Sequence, residues 1–304
     1  MKTIYGINNF KKQQPTVVSV GIFDSVHVGH QKIIKDLIKQ ASNLRAKPAI
    51  VTFNPHPGNV LKGADTVAML TSLKHRLSLL EALGVEITLV VDFTRSVARL
   101  KAEEFIRRFL LNKLSMKMLI IGESFSFGKD MVHTEAALNR IAEKLGFKTR
   151  LIKSAKHNSR SISSSLIRHL IERGRLKTAS KLLGRPVSIL GTVVRGRQRG
   201  RVIGFKTANI DPHHETIPPS GVYAVYSKLG NKIYKSVLNI GTRPTFNEKE
   251  PTIEAHIFGI NRSLYGKDIE ICFKKRLRSE RRFKDQAHLS RQILKDACLA
   301  KKIL

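Results

Sequence analysis

Cysteine is scarce in this chain. Cys272 and Cys298 are the two cysteines in 304 residues, too few for a disulfide framework or a thiolate metal site, so two reduced structural thiols are expected. No stretch approaches the ~18 continuous apolar residues of a membrane span. The polar segment 1–15 lacks the apolar core of a signal peptide. A cytoplasmic location without a membrane partner is the expectation. The phosphate-loop pattern GxxxxGK[ST] is absent, so any nucleoside triphosphate is held by other means. Internal repeats and low-complexity tracts are absent as well. Acidic residues are few, 23 Asp and Glu against 55 Lys and Arg, for a formal charge of +32. Such an excess attracts polyanions and nucleotide phosphates. It is spread along the chain: 186–304 holds 23 basic against 10 acidic residues, and 1–185 is basic too. A diffuse charge of this kind does not outline a nucleic-acid groove.

What is present is enough for two cores, with 41% hydrophobic residues. The first half alternates strand and helix patterns. Residues 16–21 (TVVSVG) are short, apolar and β-branched, and 48–53, 87–91 and 118–122 read likewise as buried strands. Helical spacing places Ile33, Ile34, Leu37 and Ile38 on one face, and further helices are expected over 71–83, 102–114 and 135–145. Strands separated by helices of this length imply a parallel sheet, which binds ligands at the carboxyl ends of its strands. The pattern changes at 183–186 (LGRP). Beyond it lie short strand candidates at 187–194, 221–226, 234–240, 252–258 and 268–273, punctuated by Gly and Pro, as in an all-β barrel or sandwich. A last helix is expected over 284–301. The domains are therefore 1–184 and 185–304.

Directly after the first buried strand comes GIFDSVHVGH at 21–30. Gly21 and Gly29 let backbone approach a nucleotide closely. His27 and His30 are three apart and share one side of a helix entrance, where exposed N–H groups favour phosphate oxygens. Two imidazoles there suit charge developing on a transferring phosphoryl group; metal ligation is the competing reading, although no third Cys or His lies nearby.

This segment resembles the GxFDxxHxGH signature of the nucleotidylyltransferase superfamily. ISSSLIR at 162–168 resembles that family's ISSTxxR, with the hydroxyl of Ser165 replacing Thr. Ser163 and Ser164 also suit a helix start, and Arg168 suits either ATP phosphates or a solvated helix face. TFNPHP at 52–57 and GESFSFG at 122–128 are similar to the TFxPHP and GxDFxFG segments of bacterial FAD synthetases. Asn54 stands where that family is usually acidic, and Ser124 where it has Asp or Asn. Pro55, Phe125 and Phe127 suit either flavin packing or loop anchoring.

In the second half, Thr207 and Asn209 alternate in GFKTAN (204–209), so strand geometry points both to one face. Their neutral oxygens suit Mg²⁺ and phosphate. Glu254 lies in an otherwise apolar strand, TIEAH at 252–256, where a carboxylate is solvated, paired or functional. General base and surface ion pair are equally open on spacing alone. The runs 204–209, 221–225 (GVYAV), 239–246 (NIGTRPTF), 264–266 (LYG) and 277–283 (LRSERRF), with Glu254 and His256, resemble the landmarks of riboflavin kinase. Lys206 replaces the family's Pro.

The chain as a whole is similar to the bacterial bifunctional riboflavin kinase/FAD synthetase family. That resemblance implies an α/β Rossmann-like nucleotidylyltransferase domain followed by a six-stranded antiparallel β-barrel with a C-terminal helix. It implies riboflavin, FMN and ATP as substrates, Mg²⁺ as cofactor, and FMN and FAD as products. Gly21, Phe23, Asp24, His27, Gly29, His30, Ser163, Ser164 and Arg168 would bind ATP for adenylyl transfer. Asn54, Pro55, His56, Phe125 and Phe127 would line the flavin. Gly204, Lys206, Thr207 and Asn209 would hold Mg²⁺–ATP in the kinase, with Glu254 as base. An adenylyl site weakened by the departures at Asn54 and Ser124 is one alternative. RNA binding through RGRQRGR at 195–201 is the other, although that tract lacks interleaved aromatics.

Overall fold

The apolar runs of the first half form strands buried on both faces. The computed structural model describes residues 1–6, 14–63, 68–123, 125–132, 134–196, 207–242 and 251–304. Strands β1 (Lys2–Tyr5), β2 (Thr16–Val20), β3 (Lys47–Asn54), β4 (Ile87–Asp92), β5 (Met116–Gly122) and β6 (Lys148–Ile152) make one sheet in the order β1-β4-β3-β2-β5-β6. Every pairing is parallel, with Val18 beside both Ala49 and Leu119. The order reverses at β2, between β3 and β5, which opens a crevice at the carboxyl ends of the strands.

Side chains alternate across this sheet. Val18, Val51, Leu89 and Leu119 belong to the core on one face, and Val17, Ile50 and Ile120 to the core on the other. The second face is covered by α1 (Val28–Asn43), which buries Ile34, Leu37 and Ala41. Helices α2 (Pro57–Lys62) and α3 (Leu73–Ala82) follow β3. The helix expected at 71–83 spans Leu73–Ala82.

After α4 (Arg95–Ala98), the helix expected at 102–114 divides. α5 (Ala102–Phe105) passes into a π-helical segment, Ile106–Leu111, and then α6 (Asn112–Leu114). The wider winding keeps Phe105, Ile106, Phe109 and Leu110 buried together, with the Phe105 and Phe109 rings stacked at 4.6 Å. Each such side chain removed from water contributes about 1.5–3 kcal/mol, enough to outweigh poorer helix geometry. α7 (Glu135–Leu145) matches its expected span and is capped by Thr134. A small hairpin, β7 (Lys156–His157) with β8 (Arg160–Ser161), leads into α8 (Ser164–Glu172) and α9 (Leu176–Leu183).

The second half closes into a barrel of β9 (Ser188–Val194), β10 (Ala208–Asp211), β11 (Gly221–Leu229), β12 (Lys232–Thr242), β13 (Pro251–Ile257) and β14 (Asp268–Arg278), in the order β10-β13-β12-β11-β14-β9. All its pairings are antiparallel. Closure leaves no free sheet edge. Helix α10 (Gln286–Ile303) is fixed by a half-buried pair in which Arg278 donates to both carboxylate oxygens of Asp296, at 2.8–3.1 Å. Cys272 is buried and its thiol is pushed up to about 12 by burial and by Glu270, whereas Cys298 is exposed. Among the described residues, no helix is long and apolar enough to cross a membrane.

The chain groups into two compact units. The first comprises Met1–Ala68 and Leu73–Ser164, the second Met69–Ser72 and Ser165–Leu304. Within the second, buried Glu215 accepts from the N–H of Ser72 at 2.7 Å and of Leu190 at 3.0 Å, while Thr216 donates twice to the carbonyl of Met69. One carboxylate thus fastens a segment distant in sequence onto the barrel. Replacing Glu215 by Ala leaves buried donors unmatched, each costing about 1–3 kcal/mol. Denaturant unfolding of Glu215→Ala should show about 2–4 kcal/mol of lost stability, and a loss below 0.5 kcal/mol would contradict this role.

Candidate active sites

The first site is built by the tight connection between β2 and α1. Phe23 and Val26 both adopt left-handed backbone conformations, with φ of 51° and 44°. Bulky residues rarely do so, and such geometry persists only where the surroundings enforce it. Here Phe23 and Val26 are buried and lock the turn into the core. Gly21 is required beside them, since a Cβ there would meet the Phe23 ring at 2.9 Å. The turn delivers His27 to the N-cap of α1, where Nδ1 accepts from the His30 N–H at 3.2 Å. The two imidazoles stack at 3.7 Å and 10°. Gly29 leaves room for that stack, because its Cβ would lie 3.0 Å from the His27 ring.

Burial lowers the His27 pKa to about 4. His30 is held well below its usual range, first by burial and then by the charges of His27 and Arg76. Both rings are therefore neutral near pH 7. Since His27 Nδ1 is an acceptor, its proton sits on Nε2, assigned from hydrogen bonding. The pair offers neutral N–H donation towards phosphate oxygens. Asp24 and Ser25 are buried in the same turn, and the Ser25 and Ser164 hydroxyls lie 3.3 Å apart. The first expected motif thereby meets the start of the second. Ser163 is exposed just before α8, and Arg168 is one turn beyond Ser164, half-buried, within the second compact unit.

Of the expected flavin residues, Asn54 ends β3 and is exposed, as is Pro55. His56 caps α2 by accepting from the Gly58 N–H at 2.9 Å. Phe127 belongs to the core, and Phe125 packs on its rim, the two rings parallel within 13°. Their loop is pinned where Asp130 accepts from the Ala102 N–H at 2.8 Å. Gly128, with φ of 79°, allows the close approach, since its Cβ would meet that same nitrogen at 2.4 Å. Ser124 lies outside the described residues. One residue that the motifs did not single out joins the site. Arg76, fully buried on α3, donates from Nη1 to Thr52 Oγ1 at 3.0 Å and to the Phe53 carbonyl at 3.2 Å. The available signal was a cation sharing a helix face with Leu73 and Leu80.

The second site lies on the barrel. Register places Asn209 of β10 and Asn239 of β12 directly across from Glu254 on either side. Directly opposed residues share a face, so an Asn-Glu-Asn row forms on the exterior. Gly196 packs against Asn209, where a Cβ would clash with the side-chain amide. Thr207 falls one residue before β10 and lines a cleft of about 270 Å³ with Ala208, Ala255, Asn261, Arg262 and Tyr265. Asn239 was visible in the sequence within a motif, but its pairing with Glu254 depends on register. Gly204 and Lys206, with most of the 195–201 tract, lie outside the described residues. Among the described residues, no group of three His, Cys, Asp or Glu side chains is placed to hold a metal.

The histidines also set an acid limit. Their folded pKa values lie below the unfolded value near 6.5, so the unfolded chain binds more protons as pH falls from about 6.5 towards 4. Stability should fall across that window by up to about 1.4 kcal/mol per pH unit for each histidine. Unfolding curves of His27→Gln should be flatter there than those of the wild type; an equal slope would refute the buried neutral state.

Comparison with known proteins assigns a family model to each half of the chain. A family model for FAD synthetase matches residues 9–166, and one for riboflavin kinase matches 183–304. The chain is 36% identical over 293 residues to the bifunctional riboflavin kinase/FMN adenylyltransferase of Bacillus subtilis (strain 168), covering 94% of this chain and 92% of the relative. It is 35% identical over 307 residues to the protein of the same description from Buchnera aphidicola subsp. Schizaphis graminum, covering 99% and 98%. The solved structure of a protein described as a macrolide-efflux protein from Streptococcus pneumoniae superimposes with a TM-score of 0.86 at 28% identity, covering 99% of both chains. The chain belongs to the bifunctional riboflavin kinase/FMN adenylyltransferase family.

Proposed function

We infer that the chain uses ATP twice, to phosphorylate riboflavin to FMN and then to adenylylate FMN to FAD with release of pyrophosphate. The observation that carries this reading is the presence of two separate polar constellations, the His27–His30 stack after β2 and the Asn209-Glu254-Asn239 row on the barrel. Each falls inside the matching family model. We place the functional boundary at 184, with 1–184 the adenylyltransferase and 185–304 the kinase, and the site in the cytoplasm.

On the barrel, Glu254 accepts the proton of the riboflavin 5′-hydroxyl as its oxygen attacks the γ-phosphorus of ATP and ADP departs. Asn209 and Asn239 flank the carboxylate in register, and Thr207, just before β10, holds the nucleotide. The oxygens of Thr207 and Asn209 are a donor set that suits Mg²⁺, which when bound neutralises phosphate charge. In the other half, an oxygen of the FMN phosphate attacks the α-phosphorus of ATP, and the bond to pyrophosphate breaks. His27 and His30 donate N–H groups to the oxygens that gain charge, and Gly21 and Gly29 give backbone access. Asn54, Pro55, His56 and Phe125 border the flavin, and Ser163, Ser164 and Arg168 serve the triphosphate. Both reactions depend mainly on positioning and charge stabilisation.

Glu254→Gln should lower FMN formation by about 10²–10⁴-fold and leave conversion of supplied FMN to FAD within twofold. His30→Ala should do the reverse, reducing FAD formation by about 10²–10³-fold. Chromatographic separation of FMN and FAD reads both. Joint loss of the two activities in either folded variant would refute separate sites.

A further inference from the structure

Arg76 is the largest fully buried side chain of the molecule's described residues, and the reaction scheme above gives it no role. Its surroundings are specific. Nη1 donates at once to Thr52 Oγ1 and to the Phe53 carbonyl, the last two positions of β3 before the Asn54–His56 loop. Thr52 Oγ1 in turn donates to the Ile22 carbonyl at 2.8 Å, within the turn that carries His27 and His30. One guanidinium therefore joins, through two hydrogen bonds and a relay hydroxyl, the segments assigned to nucleotide and flavin. Its charge also reaches His30. The other charge acting on His30 is that of the stacked His27.

We propose that Arg76 is a positioning residue of adenylyl transfer, a buried cation that fixes the His27–His30 turn relative to the flavin loop. The proposal rests on the adenylyltransferase reading of this half. Burying a guanidinium costs free energy unless it is well bonded, and a purely apolar residue on α3 would fill the same core space. One guanidinium nitrogen shared between a hydroxyl and a carbonyl does what an apolar residue cannot, since it ties two groups at hydrogen-bond distance. Displacing reacting groups by about 1 Å costs on the order of 10²-fold in rate.

The test uses the full chain carrying Arg76→Met, Arg76→Lys or Thr52→Val. FMN conversion to FAD, riboflavin phosphorylation and thermal unfolding are measured for each. With Arg76→Met, the kcat for FAD formation should fall about 100-fold, with the KM for ATP moving less than about threefold and riboflavin phosphorylation unchanged. Arg76→Lys, which keeps a cationic donor nitrogen, should recover most of the rate. Thr52→Val, which breaks the relay alone, should show a smaller loss in the same direction. Wild-type FAD formation in folded Arg76→Met would overturn the proposal, and so would Lys performing no better than Met. If the wild type itself converts no FMN, the adenylyltransferase reading fails instead.

Discussion

The stack of His27 on His30 is the interaction on which the nucleotide half depends, and it exists because a short turn is held in a conformation its residues do not favour. Left-handed Phe23 and Val26 are tolerated because their side chains fill the core beneath α1. Hydrophobic burial thus sets the turn, the turn sets the N-cap, and the N-cap sets the ring stack. Burial then removes the charge from both imidazoles, so the turn presents oriented N–H groups rather than cations. A neutral donor that is already in place has no solvent shell to reorganise, which is the condition for electrostatic stabilisation to act in a transition state.

The barrel reaches a comparable result by register. Antiparallel pairing brings Asn209, Glu254 and Asn239 level across three strands, although Asn209 lies on a strand well apart in sequence from the other two. Closure of the barrel fixes that register, because a one-residue slip would send the row to the interior and the apolar residues outward. Ile253, Ala255 and Ile257 bury the alternate positions of β13 and hold Glu254 on the outer face.

Much of this was legible in the sequence for identifiable reasons. Runs such as VVSV and AIVTF are apolar but for one small hydroxyl residue each, a pattern of strands covered on both faces, and they became β2 and β3. The edge strands β1 and β6 were not legible, because KTIY and KTRLI mix charged and apolar residues and lie half exposed. The π-helical winding at Ile106–Leu111 leaves no periodic mark distinct from an α-helix. The motifs identified His27, His30 and Glu254, but the companions Thr52, Ser25, Arg76 and Asn239 act through tertiary contact or strand register, which spacing alone does not encode. Arg76 in particular reads as one of 55 basic residues until its complete burial is seen.

The central claim is that one chain spends ATP at two different phosphorus atoms. Incubating the wild-type protein with riboflavin, Mg²⁺ and ATP labelled at either the γ- or the α-phosphorus tests it most directly. FMN should carry only the γ label, and FAD should carry both, one phosphorus from each reaction, with pyrophosphate released. FMN that accumulates with no α label ever appearing in FAD, or flavin that acquires no γ label, would contradict the account.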